Sequence, residues 1–355
     1  MNIELIIEFA IGLVLLIFIH EFGHFIACRL LGIEVEEFGF GFPPRAVTLF
    51  ERGGTKFTLN WLPLGGFVRP KGETDPTIEG GMAAASPSKR IVMFLAGPIM
   101  NLLSAVVLFF TIYAIIGSIP DRSRVQLVEI APNSPASAAG LQAGDILVSV
   151  GGVDIHSLDS AKPVIAASLD KPLVFVYERN GVTQEVTVTP RANPGSPPQV
   201  GIYMSYPTKA FTILSAIPES FTSLYDYVKE LFTMVGQILR GQTNASEGRV
   251  TGIIGMFSMY KYLRETPSTP GVPSIVNVML FFASISISLG ILNLLPVPPL
   301  DGGKIVFTLP EFIIRRRIPI KYEIWVSSIA FLILILLMIY INAQDIIHPI
   351  ITPTP

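Results

Sequence analysis

Charge is scarce in this chain. Only 15% of its 355 residues are charged, where an ordinary soluble domain carries roughly 25%. Cysteine is nearly absent: Cys28 stands alone, so no intramolecular disulfide can staple the fold, and the redox compartment leaves no mark. An excess of one sign is missing too. The 25 basic residues nearly balance the 27 acidic ones, for a net charge of −2, which gives no electrostatic footing for nucleic acid. What fills the space is apolar: half of the residues are hydrophobic and the mean hydropathy is +0.57. This composition excludes a disordered chain and an ordinary soluble enzyme, and predicts an integral membrane protein with a soluble insert.

A bilayer needs about 20 residues of apolar helix. Four stretches qualify: about Leu5 to Leu31, Ile91 to Ile119, Ser274 to Leu295 and Ile324 to Ile341. A cleaved signal peptide is the rival reading of the first. It lacks a basic start and a small-residue cleavage site, and its apolar run is too long, so it is read as a retained helix. Arg29, Arg45, Arg52, Lys56, Arg69, Lys71, Lys89 and Arg90 lie between the first two spans, and Lys304, Arg315, Arg316, Arg317 and Lys321 between the last two. Met1 to Glu8 has no Lys or Arg, nor does anything after Lys321. The positive-inside rule therefore places both loops in the cytoplasm and both termini outside.

The expected organisation has four parts. Residues 1–119 hold spans one and two with a β-hairpin loop, 120–206 a strand-rich domain, 207–272 an amphipathic outer segment, and 273–355 spans three and four. In the first loop, Ala46-Val47-Thr48-Leu49-Phe50 and Lys56-Phe57-Thr58-Leu59-Asn60 flank Gly53-Gly54, a hairpin signal. Such a hairpin beside a polar site is a candidate edge for an added peptide strand. In the insert, strands are predicted at Val125–Val128, Ile146–Val150, Leu173–Tyr177 and Val186–Val188, with turns at Gly151-Gly152 and Asn180-Gly181. Ala131 to Asp145, with its short helix and Gly-Leu-x-x-Gly-Asp turn, resembles a PDZ domain of the bacterial protease-associated type. Phe211–Arg240 and Val250–Arg264 mix apolar and charged residues at helical spacing, as interfacial helices do.

His20-Glu21-Phe22-Gly23-His24 fits H-E-x-x-H on a helix. The i, i+4 spacing stacks two imidazoles on one face, where their nitrogens can bind one zinc ion. Glu21 sits one residue further round, placed to take a proton from water. Glu and His inside lipid are costly unless they face a polar cavity, so their presence points to function; the plainer alternative is polar glue between helices. A third protein ligand is needed. His156, in the insert, and His348, in the tail, are poorly placed. Asp301 follows span three in Asn293-Leu294-Leu295-Pro296-Val297-Pro298-Pro299-Leu300-Asp301-Gly302-Gly303, where prolines break the helix. It either returns to the histidines or caps the next helix, and both readings stand on local sequence.

His20-Glu21-x-x-His24 together with Asn293-x-x-Pro296-x-Pro298-x-Leu300-Asp301-Gly302 resembles the site-2 proteases, which are intramembrane zinc metalloproteases. One PDZ insert between spans two and three is similar to the bacterial regulator-of-sigma-E protease branch. The resemblance implies an α-helical membrane protein with four transmembrane helices, a membrane-associated β-hairpin after the first, and a mainly-β PDZ domain between the second and third. It implies Zn2+ held by His20, His24 and Asp301, with Glu21 as general base and acid. It gives substrate handling to Asn293, whose alternative is helix–helix hydrogen bonding, and to the hairpin residues Gly65, Gly66 and Phe67. Ala96-Gly97-Pro98-Ile99-Met100-Asn101 matches a recurrent family segment, where Gly97 and Pro98 suit close packing. Implied partners are the bilayer and single-span substrates such as anti-sigma factors or remnant signal peptides, in the bacterial inner membrane. The chain departs in having one PDZ domain where many members have two, and in lacking the proline of the family's Gly-Pro-x-Gly stretch at Val250–Gly255. Two other classes use such residues: a divalent-cation transporter, which would need a ladder of polar groups along other spans, and an inert peptide-binding adaptor, against which the intact Glu21 argues.

Overall fold

The computed structural model describes residues 3–192, 199–241, 250–266 and 272–349. They form two compact units, one of Met1–Ile115 with Ser220–Pro355 and one of Ile116–Glu219.

The first unit begins with α1 (Ile3–Leu31), which ends where Gly32 takes a φ of +74°. Strands β1 (Val35–Arg52) and β2 (Thr55–Pro70) then pair antiparallel around Gly53-Gly54, as the sequence predicts. The pairing goes further than one hairpin. Residues 56–59 of β2 bond to 47–51 of β1 and also to 37–40, while 66–70 bond to 35–40 on the far side. The segments therefore lie in the order 45–52, 55–60, 35–40 and 66–70, with 66–70 at one edge. Phe18, Phe22 and Phe25 share one face of α1 because their spacing is 4 and 3. Phe18 stacks on Phe40 at 5.1 Å and Phe25 meets Phe38 edge-on at 5.4 Å, contacts worth about 0.5–1.5 kcal/mol each beyond burial. That face fastens the sheet to α1 and leaves the opposite face for His20 and His24.

Helix α2 (Pro87–Ile116) starts a turn before the apolar run, because Lys89 and Arg90 belong to it, and stops before Gly117 at φ +73°. Buried Arg90 pairs with Glu311. Contact between α1 and α2 is close at Gly23, where a Cβ would strike the backbone of Ala96.

The second unit holds β3 (Ser118–Pro120), β4 (Val125–Ile130), α3 (Pro135–Ala138), β5 (Ile146–Val150), β6 (Val153–Asp154), α4 (Ala161–Ala166), β7 (Leu173–Arg179), β8 (Val182–Val188), β9 (Ile202–Ser205) and β10 (Thr208–Ala210). The main sheet runs β8-β7-β5-β4-β9, with β6 beside β5. The unit extends past both expected limits, 120 and 206, because β3 pairs with β10. Alternation in β7 puts Leu173, Phe175 and Tyr177 inward with Val125, Leu127 and Val150. The Gly140-to-Asp145 turn is pinned from inside: Leu141 enters the core, and buried Asp145 accepts from Gln142 N at 2.8 Å and from Arg179 Nε and Nη2 at 2.6 and 2.7 Å.

Beyond it come α5 (Ile213–Leu239), α6 (Ile253–Glu265), α7 (Ile275–Asn293), α8 (Asp301–Ile314) and α9 (Ile320–Ile347). The connection expected between the last two spans is thus largely a helix, α8. Helices α1, α2, α7 and α9 are long and apolar enough to cross a membrane. No part of the most apolar window of α9 is buried among the described residues. Its tie lies at its C-terminal end, where Asp345 Oδ2 accepts from the backbone N of Gly252 at 2.8 Å and of Gly255 at 3.0 Å, at the start of α6.

Candidate metal centre

Two helices and one broken turn build the site. His20 and His24 project from one face of α1, each 8% exposed, with Nε2 atoms 3.2 Å apart. His24 Nδ1 donates to the Met93 carbonyl on α2 at 2.8 Å. Its single ring proton is thereby used, and Nε2 keeps a lone pair aimed at His20.

Asp301 arrives from 281 positions away. After α7 ends at Asn293, Val297 N bonds Leu295 O and Leu300 N bonds Val297 O, so the proline-rich stretch folds tightly back. Gly302 and Gly303 permit this. A Cβ on the first would strike the Leu294 and Leu295 carbonyls, and one on the second would lie 2.6 Å from Pro298 N. Asp301 opens α8, but its side chain makes no helix cap. Instead Oδ2 lies 3.1 Å from His20 Nε2 and 3.3 Å from His24 Nε2.

Among the described residues, these three are the one group of His, Cys, Asp or Glu side chains placed to hold a metal. Their three ligand atoms form a triangle with edges of 3.1, 3.2 and 3.3 Å. Ligands at about 2.0–2.1 Å around tetrahedral zinc stand about 3.3–3.4 Å apart. The donor set fits zinc in chemistry and in spacing.

The triad opens onto a cavity of about 310 Å³. Glu21 lines it, and so do Gly66, Phe67 and Asn293; Gly65, at φ +90°, does not. The edge segment 66–70 thus borders the cavity that holds the triad. A Cβ on Gly66 would sit 3.0 Å from Gly39 O and 3.6 Å from Glu21 Cγ. Two groups here carry no role in the sequence reading. Lys304, one turn after Asp301, lines the cavity, pairs with Glu73 at 3.2 Å and lies over the Phe94 ring. Burial works to lower its pKa, but Glu73 and Asp301 outweigh that and raise it, so it remains a cation. Its signal was a lysine at i+3 from a candidate ligand. Asn101 reaches His20 Nδ1 at 3.2 Å, and its signal was an amide within an uncharged span.

A ligand cluster among helices of membrane length, with a glutamate between its two histidines, defines an integral-membrane metalloenzyme. The chain belongs to Peptidase family M50, the site-2 proteases, whose pattern matches residues 8–337. It is a zinc metalloprotease and a multi-pass membrane protein. A relative from Clostridium perfringens is 33% identical over 340 residues, covering 94% of this chain and 96% of its own. The zinc metalloprotease RasP of Geobacillus kaustophilus is 28% identical and is covered over 98% of its length, with 97% of this chain. The metalloprotease MmpA of Caulobacter vibrioides is 26% identical, with 89% and 90% covered. The solved PDZ domain of an SdrC-like protein from Listeria monocytogenes is 18% identical, covers 23% of this chain and 87% of its own, and has a TM-score of 0.22.

Proposed function

We propose that the chain hydrolyses peptide bonds within membrane-spanning segments of single-span proteins, with zinc held by His20, His24 and Asp301 and with Glu21 as the proton carrier. The reading rests on one observation above all: a zinc-shaped triad shares a cavity with Glu21 and an edge strand. The chemistry zinc supplies when bound is Lewis acidity, which polarises the scissile carbonyl and acidifies water to a pKa of about 7. Glu21 Oε takes the attacking water's proton and passes it to the leaving amine nitrogen. His24 and His20 keep their Nε2 lone pairs toward the site.

A helical substrate hides its carbonyls in i to i−4 bonds, so it unwinds before cleavage. Segment 66–70 offers a sheet edge on which the unwound backbone re-forms hydrogen bonds, and the Asn293 amide supplies further donors and an acceptor. Anti-sigma factors and remnant signal peptides are the substrate kinds this suits. The unit 116–219 serves as an extracytoplasmic PDZ domain, supported by its strand order and the Gly140–Asp145 turn. Helix α5 lies at the outer interface, since Phe221, Tyr225, Phe232, Val235 and Leu239 recur at helical spacing and stay exposed. With the basic loops inside, both termini face outward across the bacterial inner membrane.

Purified Glu21→Gln protein tests the chemistry. It is expected to keep stoichiometric zinc and to lose cleavage by about 10²–10⁴-fold; undiminished turnover would remove Glu21 from its role. Cysteines introduced into 116–219 test the topology, since they are expected to react with a membrane-impermeant maleimide from the outer side alone.

A further inference from the structure

His20 differs from His24 in what stands behind it. Behind His24 is a carbonyl, which can only accept, so its ring proton has a settled place on Nδ1. Behind His20 is the amide of Asn101, fully buried within α2, with Nδ2 placed 3.2 Å from Nδ1 and Oδ1 without a partner. Were Nδ2 to donate to Nδ1, the one proton of neutral His20 would sit on Nε2. That is the atom 3.2 Å from His24 Nε2, and a protonated nitrogen cannot ligate a metal. Turning the amide half a revolution about χ2 exchanges its two ends at nearly the same positions. Oδ1 then accepts from Nδ1–H and Nε2 is left with its lone pair, while Nδ2 takes the place where Oδ1 had no partner.

The position of Asn101 is itself held. Its carbonyl accepts from Ser104 Oγ at 2.8 Å and from Ser286 Oγ on α7 at 2.9 Å. Two hydroxyls on one carbonyl fix the turn of α2 that carries the amide, and among the described residues Asn101 is the side chain that meets Nδ1. A buried amide with such support has more to do than pack.

We infer that Asn101 is a positioning residue for the metal centre: its Oδ1 accepts the Nδ1–H of His20, which fixes the tautomer and the ring plane in which Nε2 faces zinc. The inference rests on the zinc reading above. Partners of this kind typically change metal affinity by about 10–100-fold.

The test measures zinc affinity by chelator competition on the full-length protein in detergent, alongside the thermal midpoint of the metal-free form. Asn101→Leu, of similar volume and unable to accept, is expected to bind zinc about 10–100-fold more weakly. Asn101→Asp, which can only accept, is expected to stay within about threefold of the parent. A role confined to packing would lower the metal-free midpoint of both variants without separating their zinc affinities. Equal affinity in the parent and Asn101→Leu overturns the inference, as does loss of affinity in Asn101→Asp equal to that in Asn101→Leu. If Asn101→Leu does not fold, Asn101→Ala takes its place under the same criteria. His20→Ala separates this from the parent reading. Unchanged zinc binding in His20→Ala would overturn the zinc site itself, whereas weakened binding there with parental affinity in Asn101→Leu overturns the Asn101 assignment alone.

Discussion

Gly97 on α2 lies so close to His24 that a Cβ there would collide with the Nε2 atom, and it would come within 2.8 Å of His20 Cε1. Met93 O holds one imidazole in place and Asn101 flanks the other. Gly97→Ala is therefore expected to push both rings from their positions. Zinc content after dialysis should fall along with cleavage, while a conservative change on the exposed side of the same helix, Val107→Ala, should leave both intact.

The sheet beside the site has an electrostatic pin. Glu37, 3% exposed, accepts from Arg45 at 3.0 and 2.7 Å, from Thr58 at 2.8 Å and from Arg69 at 3.1 Å. Burial works to raise its pKa, but the hydrogen bonds from Arg45 and Thr58 and the two guanidinium charges prevail, and it is lowered. A carboxyl with a depressed folded pKa stabilises fully above the unfolded value of about 4.3, and the contribution disappears as pH falls through the lower folded value. Glu37→Gln is expected to cost about 1.5–3 kcal/mol at pH 7. Hydrogen exchange in 66–70 should quicken at neutral pH, and the difference from the parent should shrink as the solution is acidified. A constant difference at every pH would refute the pin.

Much of this was legible in the residues, and what was not has a physical cause. His20, Glu21 and His24 are set by local helix geometry, so spacing alone placed them together. Asp301 was undecided between ligand and cap because its direction depends on a turn built from prolines and from two glycines, Gly302 and Gly303, whose need is visible only against the Leu294 and Leu295 carbonyls. The hairpin at Gly53-Gly54 was readable, yet the second pairing of β1 with 66–70 is nonlocal and has no turn signature of its own. Short strands β9 and β10 escaped for the same reason. Asn101 is silent in the sequence because Gly97 and Pro98 beside it account for the whole segment by close packing.

Asp345 caps a helix that is not its own. Its Oδ2 takes the Gly252 and Gly255 amides, and Asn342 Oδ1 takes that of Ile254 at 3.1 Å. A cap of this kind is worth about 0.5–2 kcal/mol. Asp345→Ala is expected to lower the thermal midpoint and to speed exchange at the α6 start, with no change in zinc content. Asp345→Asn, which keeps an acceptor, should recover much of the loss.

The edge of the sheet gives the sharpest separation of binding from chemistry. Gly66 borders the cavity with its backbone, and a side chain there would fill space between Gly39 O and Glu21 Cγ. Gly66→Val adds two methyls beyond that Cβ, on the path an added strand would take. The ligand triad is held by α1, α2 and the turn after α7, and the α1 atom nearest the new side chain, Glu21 Cγ, belongs to no ligand. Zinc affinity is therefore expected to stay within about threefold of the parent, because the ligands and their hydrogen-bond partners are unaltered. Cleavage of a membrane-spanning substrate should fall by tenfold or more, a loss of about 1.4 kcal/mol in transition-state binding. A short, already unfolded peptide that enters without strand pairing should be cut with a smaller deficit. If both substrates lose equally while zinc is retained, the defect lies at Glu21 rather than at the edge, and segment 66–70 is not where the substrate docks.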